Sequence, residues 1–186
     1  MRRNLAAELF DYREWGPTMK TQVLWSMFAL VSSVLASAQD VGPKNQSTRP
    51  AREIVFVCEH GAALSVVSAA YFNKLAKEQH LNMHAVARGV TPQENLANSA
   101  SNGLKADGVP SEVQKPHALS QDDLLHSDYV VTFFPLPEKY SINVPLESWN
   151  DVPPTGAGYN KSRDAILKHI QQLLEKLKAE TKRPAA

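Results

Sequence analysis

The stretch Ile54-Val55-Phe56-Val57-Cys58-Glu59-His60-Gly61-Ala62-Ala63-Leu64-Ser65 decides how the chain is read. Its apolar, largely β-branched beginning predicts a buried strand, and Gly61-Ala62-Ala63 can bend the backbone so that its amides point inward. The segment that follows, Leu64 to about Gln79, is apolar and of helical length, with Lys74, Lys77, Glu78 and Gln79 making its end polar and Asn82 helping to break it. Cys58 is the only cysteine of the chain. Between a strand end and a helix start it feels the positive end of the helix dipole, which favours the thiolate and places it beside an anion-binding cradle. The alternative is a small buried hydrophobe at a strand end.

The chain has 186 residues and a formal net charge of +1, which suits one globular domain with extensions and offers no basic field for nucleic acid or anionic membrane. A single cysteine excludes an internal disulfide framework and an all-cysteine zinc site. His80, His84, His117, His126 and His169 lack metal-ligand spacing, so neither metal nor cofactor is expected. Nothing in the sequence speaks to the oligomeric state.

Met19-Lys20, the apolar run Val23 to Leu35 and Ala36-Ser37-Ala38 have the layout of a secretory signal peptide cleaved before Gln39. On that reading residues 19–38 export the protein, to the periplasm or beyond, and residues 1–18 are a gene-start artefact or extension. The alternative is an amphipathic helix on a protein that is not exported. Residues 39–51 suit a linker, residues 52–182 a folded domain, and residues 183–186 a tail. In an oxidising compartment a lone thiol is either buried and inert or there for its reactivity.

Beyond the first helix, Met83–Gly89 alternates like a second strand. Residues 95–106 have helical spacing closed by Asp107-Gly108, and Ser120 with Asp123 opens a further helix as a capping box. Asp128–Phe134 predicts a third strand, and 141–149 a weaker one that Pro145 places at a sheet edge. A Pro/Gly-rich loop covers 150–158, and Ile166, Ile170, Leu173, Leu174 and Leu177 form the stripe of a long terminal helix. The order β-α-β-α-α-β-β-α predicts an α/β fold: a small, mostly parallel four-stranded sheet with helices on both faces. Ligands of such sheets sit at the carboxyl ends of the strands, where Cys58 lies.

Residues Glu53 to Glu180 resemble the low-molecular-weight protein tyrosine phosphatases, including their arsenate reductase branch. That family carries a Cys-x5-Arg-Ser loop after its first strand, which Val57-Cys58-Glu59-His60-Gly61-Ala62-Ala63-Leu64-Ser65 matches at Val, Cys, His and Ser. Ala87–Pro92, Asp128–Thr132, and Trp149 with its Pro-rich loop resemble three further landmarks, in the family's order. The resemblance implies attack of the Cys58 thiolate on phosphorus or arsenic, a phosphate-like oxyanion or phosphoprotein as partner, and a binding loop from Glu59 to Ser65 that includes His60, Gly61, Ala62, Ala63 and Leu64.

The departures fall on the reacting groups. Leu64 occupies the arginine position, Pro153-Pro154 replaces the Asp-Pro that carries the general acid, Gly61 replaces Asn, and Phe134 stands where the reductases have a second cysteine. Two substitutes are conceivable, Arg88 as the cation and Asp151 as the acid. The alternative for Arg88 is a solvated surface residue. His60 either supports the thiolate or hydrogen-bonds locally, Glu59 is expected to face outward, and Ser65 to hydrogen-bond the sulfur. Outside this enzyme class, the loop reads as a non-catalytic oxyanion-binding or redox-responsive module. It would take a thiol partner through Cys58, or an apolar or uncharged ligand beside Leu64.

Overall fold

Strand β1 (Arg52–Cys58) is buried from Ile54 onward because it lies at the centre of the sheet. The structure is a computed structural model that describes residues 50–109 and 111–182. The leader, the linker up to residue 49 and the tail lie outside the described residues. Among those described, no helix is long and apolar enough to cross a membrane.

Helix α1 (Leu64–Glu78) returns the chain to β2 (Met83–Gly89), and α2 (Asn98–Ala106) and α3 (Gln121–His126) lead to β3 (Tyr129–Thr132), edge strand β4 (Leu146–Ser148) and the long α4 (Tyr159–Lys182). The sheet order is β2-β1-β3-β4, parallel throughout. All four strands therefore end on the side where Cys58 leaves β1.

Strand parity divides the core. Ile54 and Phe56 face α1 and α4, whose Ile166, Ile170, Leu173, Leu174 and Leu177 are all buried there. Val55 and Val57 face the opposite side with Leu119, Leu124 and Val130. That side is covered by the short α3 and by side chains of the 134–144 connection, more loop than helix. Trp149, fully buried, packs between Phe56 (5.4 Å between ring centroids) and Phe133 (5.9 Å) and stacks on His169 (4.8 Å). Each aromatic pair adds about 0.5–1.5 kcal/mol beyond area burial.

The boundaries that differ from the sequence reading have local causes. Helix α1 is ended not by Asn82 but by His80 in the left-handed region (φ 53°), with Leu81 N–H donating to Ala76 O and His80 N–H to Lys77 O, a Schellman turn. Gly108 (φ 65°) makes the same turn after α2, as expected from Asp107-Gly108. Helix α2 starts at Asn98 rather than 95 because the preceding amides are bonded elsewhere, as described below. The α3 capping box forms as read, Ser120 accepting from Asp123 N–H and Asp123 from Ser120 N–H.

One acid ties three helices. Asp107, at the end of α2, accepts from the hydroxyls of Tyr71 and Tyr159 and pairs with Arg163 at 3.2 Å. The Tyr71 hydrogen bond, with those of Tyr159 and Arg163, outweighs partial burial and holds its carboxyl below the usual carboxylate range. A depressed folded pKa contributes stability that is present above the unfolded value of about 4 and is lost as pH falls through the folded value. Asp107→Asn is therefore expected to lower stability at neutral pH by about 1–2 kcal/mol and to flatten the loss below about pH 4. Urea unfolding followed from pH 7 to pH 2.5 checks this, and parallel curves for the two proteins would refute it.

Candidate active site

Cys58 ends β1 and opens a loop that closes at the first turn of α1. Gly61 takes φ 60°, a conformation natural to glycine and tolerated by asparagine, which explains why Gly replaces Asn at this position of the resembled motif. The loop lies directly on the end of β2: a Cβ at Gly61 would approach Gly89 N to 2.8 Å, and one at Gly89 would approach the His60 carbonyl carbon to 2.6 Å. The two glycines thus require each other.

Four of the loop carbonyls are turned outward. Those of Cys58, Glu59, His60 and Ala62 accept from the amides of Val90, Thr91, Gln93 and Ala97. Because a trans peptide points its carbonyl and the next amide in opposite directions, the N–H groups of Glu59, His60, Gly61 and Ala63 point away from those partners, to the inside of the loop. Among the described residues, no backbone carbonyl accepts from the amides of Glu59 through Ser65. Ala63 supplies no side-chain cap to α1, which leaves its first-turn amides available as well.

These groups border a cavity of about 410 Å³. Cys58, 7% exposed, lines it, and its Sγ lies 3.0 Å from the buried Ser65 Oγ, the hydrogen bond anticipated from the motif. Leu64, half-buried, lines the cavity from the first residue of α1. The far wall is Phe133, Phe134 and Pro154, with Ser99 and Thr155 joined by a 2.9 Å hydrogen bond at the rim. Glu59 is the one side chain with a formal charge at neutral pH among the lining residues, and it is 68% exposed, as expected of a carboxylate beside the thiol. His60 borders the cavity while its Nδ1 lies 3.2 Å from Thr91 O, the local structural role.

Both conceivable substitutes are placed elsewhere. Arg88 is in register with Val57, so its side chain belongs to the face opposite Phe56, and its guanidinium is held by Asp123 of α3 through Nε and NH2, each at 2.8 Å. Burial raises the Asp123 pKa, but the Ser120 hydroxyl and amide and the Arg88 guanidinium lower it further, so the pair is ionised and closed on itself. Asp151 is 70% exposed and bonded to His169 Nε2 at 2.9 Å on α4. The hydrogen bond from His169 holds its carboxyl below the usual range, opposite to the shift a proton donor needs. Neither residue lines the Cys58 cavity.

Sequence reading missed Gln93, Ala97, Ser99, Phe133, Phe134, Thr155 and Gly156 as cavity residues. The position of Phe133-Phe134 at the carboxyl end of a strand beside β1 was the signal available for two of them. Among the described residues, no three His, Cys, Asp or Glu side chains are grouped as metal ligands would be.

Solved structures share this fold over most of the chain. YfkJ from Bacillus subtilis is similar over 74% of this chain and 100% of its own, with a TM-score of 0.65 at 18% identity. A low-molecular-weight protein tyrosine phosphatase from T. tengcongensis is similar over 68% of this chain and 99% of its own, with a TM-score of 0.59 at 20% identity. The fold is that of the low-molecular-weight protein tyrosine phosphatases. A thioredoxin-dependent arsenate reductase from Corynebacterium glutamicum has the same phosphatase fold, with a TM-score of 0.56 at 18% identity over 72% of this chain and 65% of its own. No protein-family model and no curated protein matches the sequence. The resemblance read from four short motifs therefore extends to the whole phosphatase fold, while the identities of 18–20% carry no activity with them.

Proposed function

We propose that this chain is a phosphatase-fold thiol protein in which cysteine-dependent phosphate or arsenate transfer is impaired. The observation that carries the reading is the composition of the Cys58 cavity: a thiol bonded to Ser65 and a ring of inward amides, lined among the described residues by no Lys or Arg and by no carboxyl group other than that of the outward, 68% exposed Glu59. In the full reaction the sulfur would attack phosphorus, the amides and a cation would hold the equatorial oxygens, and an acid would protonate the departing oxygen. Here the amides alone face the oxyanion. Loss of one oxyanion donor costs about a hundred- to a thousandfold, and loss of general acid catalysis about as much again. A reductase cycle closed by an internal disulfide is excluded, because the chain has one cysteine. The signal-peptide layout of residues Met19–Ala38 supports placing the protein in a compartment outside the cytoplasm.

The test is turnover of p-nitrophenyl phosphate by the protein as it stands. Release of nitrophenol is expected to be slow, within a few-fold of that of Cys58→Ser at every substrate concentration. Rapid turnover that Cys58→Ser abolishes would overturn the reading.

A further inference from the structure

The cavity is better furnished for an uncharged ligand than for an oxyanion. Its volume of about 410 Å³ is that of a small-molecule site. Leu64, Phe133, Phe134 and Pro154 give it an apolar body. At its floor lie amide donors whose carbonyl partners are committed outward. A tetrahedral dianion would need a positive group to offset its desolvation, yet the charged side chain at the mouth is Glu59, and the nearby arginine of β2 is closed on Asp123 across the sheet. A neutral carbonyl-type oxygen can accept from two of these amides without that requirement, because it carries no net charge.

Resting on the reading that oxyanion transfer is impaired, we propose that the Cys58 cavity binds a small neutral molecule with one carbonyl-type acceptor and an aryl or branched apolar body. The acceptor oxygen sits on the amides between Glu59 and Ser65, and the body lies between Leu64 and the Phe133–Phe134 wall. Glu59 at the mouth disfavours anionic forms of the same ligand. Ser99 and Thr155, bonded to each other, add a polar pair to the cavity lining.

The experiment is a titration of the isotopically labelled protein with acetanilide and, separately, with inorganic phosphate, following the amide resonances of residues 59–65. Acetanilide is expected to shift them saturably and phosphate to leave them in place, and Leu64→Arg to reverse the order. The charge preference is read independently by alkylation. The rate of Cys58 with iodoacetamide relative to iodoacetate should exceed the same ratio for 2-mercaptoethanol by on the order of tenfold. Shifts with phosphate, silence with acetanilide, or a thiol that neither reagent reaches would each overturn the proposal. Cys58-dependent nitrophenyl phosphate turnover would instead remove the reading beneath it, so the two failures are distinct.

Discussion

Replacing Leu64 by arginine is expected to raise Cys58-dependent hydrolysis of p-nitrophenyl phosphate by on the order of a hundredfold over the unmodified chain. The position is suited to it: Leu64 is the first residue of α1, half-buried, and already lines the cavity beside Cys58. A guanidinium there supplies the planar pair of donors that the amide ring lacks, and its stem retains part of the packing that Leu64 makes with the core. Nitrophenolate leaves without much proton donation, so the missing acid weighs little for this substrate. With a poorer leaving group such as phenol the gain should shrink, and adding Pro153→Asp, at the place of the Asp-Pro pair, should restore it. Initial rates for the variant and for the same variant carrying Cys58→Ser decide the matter. A folded Leu64→Arg protein with unchanged rates, or a gain that survives loss of Cys58, would mean that the cavity is not a phosphatase site short of its cation.

Gly89→Ala should be the most destabilising single-methyl addition in the domain, at about 3 kcal/mol. The new methyl would overlap the Gly61 nitrogen and the His60 carbonyl carbon, which are backbone atoms and cannot swing aside. Relief requires the Cys58 loop to lift from β2, against the hydrogen bonds from Val90, Thr91 and Gln93 that hold it down. Gly108→Ala is the control. That residue also has positive φ (65°) but nothing within 4 Å of its Cβ position, so only backbone strain of about 1 kcal/mol is expected. Equal urea midpoints for the two variants would show that the loop does not bear on β2 as described.

What could be read from the sequence follows from how local the determinants are. The Cys58–Ser65 hydrogen bond depends on one strand end, one tight loop and one helix start, all contiguous. The capping box of Ser120 and Asp123 and the turn at Gly108 are equally local, and so were legible. Arg88 was misplaced for a non-local reason. Whether it reaches Cys58 depends on its register opposite Val57, which turns it to the other face, and on Asp123, 35 residues later, which takes its guanidinium. Asp151 failed similarly. Val152 N–H turns back onto Trp149 O and Val152 is buried, which leaves Asp151 outward beside His169 of α4. The aromatic wall went unread because Phe133-Phe134 looked like the continuation of β3, whereas β3 ends at Thr132 and the pair turns over the cavity.

The outward hydrogen bonds of the loop carbonyls have a thermodynamic consequence. Since the amides of Val90, Thr91, Gln93 and Ala97 already hold the loop in shape, a ligand has little chain to order on arrival. Affinity differences among Leu64 and Glu59 variants that retain the fold should then report charge and contact rather than reorganisation. In such a preorganised receptor, exchanging one side chain exchanges the class of guest while the vessel stays as it was.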